Sequence, residues 1–165
     1  MNENTVFSDQ RALALGAALQ ARQLKLATVE SCTGGMVAQA LTSVAGSSEW
    51  FEQGFIPYSN AAKQSMLGLK ASHLEAFGAV SQEVAKEMAL GALLNSQADC
   101  SLAITGIAGP GGGSAEKPIG LVCFAFVLKK RIETHCEQFS GDRQAVRSQA
   151  TQFALERMLK FILQV

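Results

Sequence analysis

The run Gly120 to Leu128 (GLVCFAFVL) is apolar at both odd and even positions. Successive residues of a strand face opposite sides of its sheet, so a strand apolar on both parities needs an apolar layer against each face. A sheet with one wet face is thereby excluded. The run is also far too short to cross a bilayer, which takes about 20 helical residues.

The rest of the chain supplies material for two covering layers. Lys25 to Glu30 (KLATVE), Trp50 to Tyr58 (beginning nearer Glu52) and Cys100 to Thr105 (CSLAIT) read as strands. After Gly120 to Leu128, a hairpin at Lys129 to Arg131 returns into Ile132 to Phe139, where Glu133, His135 and Glu137 mark a wetter face. Helices fall between the strands. Ser8 is placed to cap one ending near Arg22, with Asp9 in its first turn, and another runs from Met36 to Thr42. A short helix capped by Ser59 or Asn60 carries Lys63, Met66 and Leu67, and Ser81 precedes one over Gln82 to Asn95. The last, Asp142 to Leu163, puts Val146, Ala150, Phe153, Ala154, Met158, Phe161 and Ile162 on one stripe, with Arg147, Arg157 and Lys160 off it. Alternating strands and helices with one late hairpin predict an α/β fold, a three-layer α/β/α sandwich with a mixed sheet. No repeat or linker interrupts residues 1–165, so a single domain is expected.

Charge and cysteine content narrow the function. Lys plus Arg and Asp plus Glu are both 14, so there is no net basic field to hold nucleic acid. A small phosphorylated ligand stays open, because a few amides and one Arg hold a phosphate locally. Cys32, Cys100, Cys123 and Cys136 are widely spaced with no C-x-x-C pair, which predicts four reduced thiols. Met1 to Gln10 is polar and has no secretory signal pattern, so a cytoplasmic protein with no membrane partner is expected.

Two segments have the composition of a site. Ser31-Cys32-Thr33-Gly34-Gly35 brings two hydroxyls, a thiol and several amides to the start of a helix, where an oxyanion is stabilised. The same residues suit a second role, with Ser31 or Thr33 merely capping that helix. Gly106 to Gly113 has five glycines in eight residues directly after a strand. It fits neither standard nucleotide fingerprint, yet its amides suit phosphate or ribose. Ser114 to Lys117 matches S-x-x-K by letter, but that pattern needs a helical turn, and here it follows three glycines and precedes Pro118. His73 and His135 lack partners at metal-ligand spacing, which argues against a metal. A base for Ser31 or Cys32 is therefore sought at Lys63 or Tyr58; Lys63 falls in the first turn of its helix, where the dipole disfavours an ammonium. Trp50, Phe51 and Phe55 suit the core better than a stacking platform.

Taken in order, VESCTGG (29–35), AGSSEWFEQGFIPYSNAAK (45–63), GAVSQEVA (78–85), TGIAGPGGGSAEKPIG (105–120) and FSGDR (139–143) closely resemble one family. It is the nicotinamide-nucleotide amidohydrolase family, also known as the C-terminal domain of the competence/damage-inducible protein CinA, here in what looks like its stand-alone form. The resemblance implies hydrolysis of the carboxamide of nicotinamide mononucleotide, with no metal or organic cofactor, in a homo-oligomer. It implies a serine nucleophile with a lysine partner, carried onto Ser31 and Lys63 with Tyr58 nearby; Ser48 also lies within the family's pattern. Thr33, Gly34, Gly35, Ser48, Thr105, Gly106, Gly109, Gly112, Gly113 and Arg143 are the substrate-binding candidates, Arg143 for the phosphate. Pro57 departs from the pattern, since relatives commonly have a backbone donor there. Two other functions suit the same motifs: a non-catalytic pyridine-nucleotide-binding regulatory domain, and an interaction module linked to competence or DNA repair.

Overall fold

The structure, a computed structural model, describes residues 3–164. In chain order it contains α1 (Glu3–Ala21), β1 (Leu26–Glu30), α2 (Met36–Thr42), β2 (Phe51–Phe55), α3 (Asn60–Leu67), α4 (Ala71–Phe77), α5 (Gln82–Leu94), β3 (Cys100–Gly106), β4 (Leu121–Leu128), β5 (Arg131–Gln138) and α6 (Arg143–Leu163), with a single 3-10 turn at Ser47–Glu49. The five strands form one mixed sheet in the order β2-β1-β3-β4-β5. Within it β2, β1 and β3 are parallel, while β4 and β5 are antiparallel to their neighbours.

Both faces of the sheet are covered, as the apolar run of β4 requires. Val122, Phe124, Phe126 and Leu128 pack with Leu15 and Leu19 of α1, Val37 and Leu41 of α2, and Met158 and Phe161 of α6. The alternate residues Cys123, Ala125 and Val127 meet Leu67, Leu74 and Met88 of α3, α4 and α5. β4 is an interior strand, flanked by β3 and β5. Trp50 and Phe55 are buried in the core, and no helix of the described residues is long and apolar enough to cross a membrane.

Two expectations are corrected. α1 spans Glu3–Ala21, so Ser8 lies inside the helix and is not its cap. The four cysteines are not all reduced: Cys123 and Cys136 form a disulfide with Cα atoms 4.1 Å apart. They are direct partners across the β4–β5 hairpin, a register that spacing along the chain does not reveal. Cys32 and Cys100 are free and buried.

The chain enters the sheet at β1, adds β2 on one side and β3 on the other. Where order reverses in this way, the loops leaving the strand ends part and open a crevice at their carboxyl ends. Ser31 directly follows β1 and Gly106 ends β3, which puts both sequence motifs at that crevice.

Helix α3, which carries Lys63, is held close to α5 through Gly91. A Cβ at Gly91 would stand 2.5 Å from the Leu67 carbonyl oxygen. Gly91→Ala would gain about 1 kcal/mol of helix propensity but force backbone against backbone, which typically costs about 1–3 kcal/mol. We expect a lower melting temperature for Gly91→Ala in thermal denaturation, together with reduced activity as α3 shifts.

Candidate active site

β1 ends in a carboxylate. Glu30 is buried without exposure, and its oxygens accept the backbone amides of Gly35 (3.1 Å), Val37 (3.0 Å) and Ala38 (2.9 Å). Glu30 thus caps α2, and neither Ser31 nor Thr33 does; the residue at the cap position, Gly35, gives no side-chain bond. The turn between them closes through left-handed backbone at Gly34 (φ 58°) and Gly35 (φ 102°), which favours glycine. Most amides of the helix start are consequently unavailable for an oxyanion. Gly35, Val37 and Ala38 serve Glu30, the Gly34 N–H donates to Ser31 O, and the Met36 N–H to Thr33 O.

Relieved of capping, the Ser31 hydroxyl faces Lys63. Ser59 caps α3, its Oγ accepting the Ala62 N–H at 3.0 Å, and this starts the helix so that Lys63 falls in its first turn. Lys63 Nζ lies 3.3 Å from Ser31 Oγ and donates to the Tyr58 carbonyl, also at 3.3 Å. Only 2% of Lys63 is exposed. Burial lowers its pKa from the ordinary 10.5, opposed by the charge of a Cys32 thiolate. That opposition vanishes wherever Cys32 is protonated, and burial pushes the Cys32 thiol up to about 11.

Ser31 and Lys63 open into a cleft of about 240 Å³ that Cys32, Tyr58, Asn60, Ala79, Val80, Thr105, Gly106, Ala108 and Arg143 also line. Arg143, the first residue of α6 behind the Asp142 cap, spans the mouth: Nη1 donates to Gly109 O at 2.8 Å and Nη2 to the Tyr58 hydroxyl at 3.0 Å. The Tyr58 ring therefore belongs to Arg143, and its main-chain carbonyl to Lys63. Thr105 Oγ1 donates to Ala79 O at 2.7 Å, tying the end of β3 to the segment before α5.

Six of the sequence candidates thus share one cleft: Ser31, Tyr58, Lys63, Thr105, Gly106 and Arg143. Thr33, Gly34 and Gly35 lie behind it in the turn that follows Ser31. Gly109 meets it through Arg143, whereas Gly112 and Gly113 sit farther out on the exposed loop. Ser48 lies elsewhere, exposed in the turn before β2, at the opposite end of the parallel strands. Ser114 and Lys117 form no dyad: the Lys117 N–H donates to Ser114 Oγ, and its ammonium reaches Phe77 O. Among the described residues no group of His, Cys, Asp and Glu could hold a metal ion.

Sequence reasoning missed Glu30 and Arg147. A charged residue closing an apolar strand just before a glycine turn was the available signal for Glu30. Arg147 was readable only as a residue off the apolar stripe of its helix.

Fold and site define an α/β domain that presents a buried serine–lysine pair at the carboxyl end of a parallel strand. Residues 8–162 match the CinA C-terminal domain, and the chain belongs to that family. It is 54% identical over 147 residues to the nicotinamide-nucleotide amidohydrolase PncC of Enterobacter agglomerans, covering 88% of this chain and 90% of that protein. It is 52% identical over 151 residues to PncC of Escherichia coli K12, covering 91% and 92% respectively. The crystal structure of the competence/damage inducible protein CihA from Agrobacterium tumefaciens superposes with a TM-score of 0.92 at 42% identity, over 96% of each chain.

Removing Glu30 should be costly, because three amides would lose a charged acceptor inside the protein. Unsatisfied buried donors cost about 1–3 kcal/mol each. We expect Glu30→Ala to lose about 3 kcal/mol or more in urea denaturation, and Glu30→Gln, which keeps one acceptor oxygen, to lose less.

Proposed function

We propose that this protein hydrolyses the carboxamide of nicotinamide mononucleotide to nicotinic acid mononucleotide and ammonia. The observation that carries the reading is the buried approach of Lys63 Nζ to Ser31 Oγ at 3.3 Å. An amide is a poor electrophile with a poor leaving group, so its hydrolysis needs an activated nucleophile and a proton for the departing nitrogen. A neutral Lys63 supplies both. It takes the Ser31 proton as Oγ bonds to the carboxamide carbon, then passes that proton to the nitrogen as the C–N bond breaks and ammonia leaves. Water, deprotonated by the same amine, cleaves the resulting ester and restores Ser31. The Tyr58 carbonyl holds the Lys63 nitrogen in place through the cycle.

The remainder of the cleft suits the nucleotide. Arg143 combines a guanidinium with the positive end of α6, which favours an anion such as the 5'-phosphate. Thr105, Gly106 and the loop through Gly109, Gly112 and Gly113 offer backbone surface for the ribose and phosphate. The similarity to the two amidohydrolases named above supports the same substrate class for this chain.

Ammonia release from the mononucleotide by the purified protein, with a product about one mass unit heavier, tests the reading. Release of free nicotinamide instead would replace deamidation by glycosidic cleavage. Ser31→Ala should lose at least about 10³-fold in kcat/KM, whereas Cys32→Ala keeps most activity and Ser48→Ala leaves it intact.

The pH dependence follows from the direction of the Lys63 shift. The base works only when neutral, so kcat/KM should rise through one ionisation below 10.5 and level off above it. Lys63→Arg cannot lose its proton, so it should be as inactive as Lys63→Ala; substantial activity in Lys63→Arg would reduce Lys63 to an electrostatic contact. Loss of a charge-assisted hydrogen bond is worth about 1.5–3 kcal/mol, so Arg143→Ala should raise KM by about 10- to 100-fold. Nicotinamide riboside, lacking the phosphate, should show a similar defect; equal turnover of the riboside would overturn the phosphate assignment.

A further inference from the structure

Arg147 stands one turn after Arg143 on α6 and does not line the cleft, yet its side chain reaches the nucleophile turn. Its Nε donates to the Cys32 carbonyl at 3.0 Å and its Nη2 to the Thr33 carbonyl at 3.3 Å. The remaining nitrogen, Nη1, meets Gln144 Oε1 at 3.3 Å. Among the described residues no carboxylate pairs with it.

A peptide carbonyl and the N–H that follows it point in opposite directions. With the Cys32 carbonyl drawn toward α6, on one face of the sheet, the Thr33 N–H points toward the layer that carries Lys63. Among the described residues, the Cys32 and Thr33 N–H groups are also the two amides between Ser31 and Ala38 with neither a main-chain nor a carboxylate acceptor; only the Cys32 sulfur stands against them. We infer that Arg147 is a positioning residue: by gripping the Cys32 carbonyl, with its second hold on the Thr33 carbonyl fixing the fork, it aims the Thr33 amide at the oxyanion that forms when Ser31 adds to the carboxamide. In that step the serine oxygen bonds to carbon, the carbonyl π pair moves to oxygen, and the proton goes to Lys63. Expulsion of ammonia then returns the pair.

The Cys32 sulfur reports what an anion at this spot would experience. Burial and the Glu30 charge raise the thiol pKa, while the Cys32 amide, the Arg147 charge and the Thr33 amide lower it. The same three groups would stabilise a substrate oxyanion beside them.

The inference rests on Ser31 as nucleophile, so its test has one arm with the mononucleotide and one without. The first arm compares nicotinamide mononucleotide with its thioamide analogue in wild type, Arg147→Ala and Arg147→Lys. Sulfur is a weak hydrogen-bond acceptor, so correctly aimed amides favour the oxygen substrate. Losing an oxyanion donor typically lowers kcat by about 10²–10³. We expect Arg147→Ala to lose that much on the carboxamide with KM little changed, and the carboxamide-to-thioamide kcat ratio to fall by about tenfold or more. Arg147→Lys, a point charge without the fork that spans two carbonyls, should restore little. Equal losses on both substrates would make Arg147 a merely structural residue, and a rise in KM with kcat intact would make it a substrate contact; either result overturns the inference. The second arm measures labelling of Ser31 by a fluorophosphonate, whose phosphoryl oxygen needs the same donors, using mass spectrometry. Slower labelling in Arg147→Ala supports the inference even if wild type releases no ammonia, in which case the substrate reading alone fails. Equal labelling rates, or no labelling of wild type at Ser31, overturn it.

Discussion

A carboxylate sealed from water holds the site together. Glu30 is the last residue of β1 and accepts three amides at the start of α2. An ionised group inside a protein is stable only when its hydrogen-bonding capacity is met, and here a helix start meets it. The bond network fixes the path of the intervening turn, so the orientation of Ser31 follows from a strand and a helix, both packed into the core, being tied at one point. The arrangement also removes the helix start from the chemistry. An amide already serving Glu30 cannot serve a bound anion, which leaves that capacity to the part of the turn nearest Ser31.

Positive charge is then brought in from elements distant in sequence. Arg143 and Arg147 come from α6, on the face of the sheet opposite α3, where burial disfavours the Lys63 cation. Among the described residues the cleft is lined by no carboxylate. A chain with equal numbers of acidic and basic residues can therefore still present a local anion site. The local field is set by the start of α6 and two guanidiniums, not by the total.

How much of this could be read beforehand depended on whether the determining interaction was local. The apolar run of β4, a cap at Ser59 or Asn60, Ser81 ahead of its helix, and the strand–turn–helix at Ser31 are short-range features, and the fold class and Lys63's place in its helix follow from them. The pairing of Cys123 with Cys136 depends on the register of a hairpin, and the partnership of Arg147 with Cys32 and Thr33 joins residues 115 and 114 positions apart. No periodicity encodes either. Tyr58 was flagged as a base on residue type alone, and the structure gives its hydroxyl to Arg143 and its carbonyl to Lys63. Glu30 lay between these extremes: adjacent to the motif, but understandable only once the strand was known to be buried on both faces.

The neighbouring thiol shows how burial acts on groups of opposite charge. A cysteine attacks as thiolate, so its reactivity requires a depressed pKa. Cys32 is buried beside the Glu30 charge and is pushed up to about 11, which keeps it protonated near neutral pH. Serine never needs a free alkoxide in the ground state, because its proton can leave in the same step as the attack if a neutral base is adjacent. Burial is thus double-edged at this turn. It disfavours the thiol's anion, and it equally disfavours the Lys63 cation. The same low-dielectric environment that keeps Cys32 protonated favours a neutral Lys63, and on the proposed reading it is Ser31, 3.3 Å from that amine, that becomes the nucleophile.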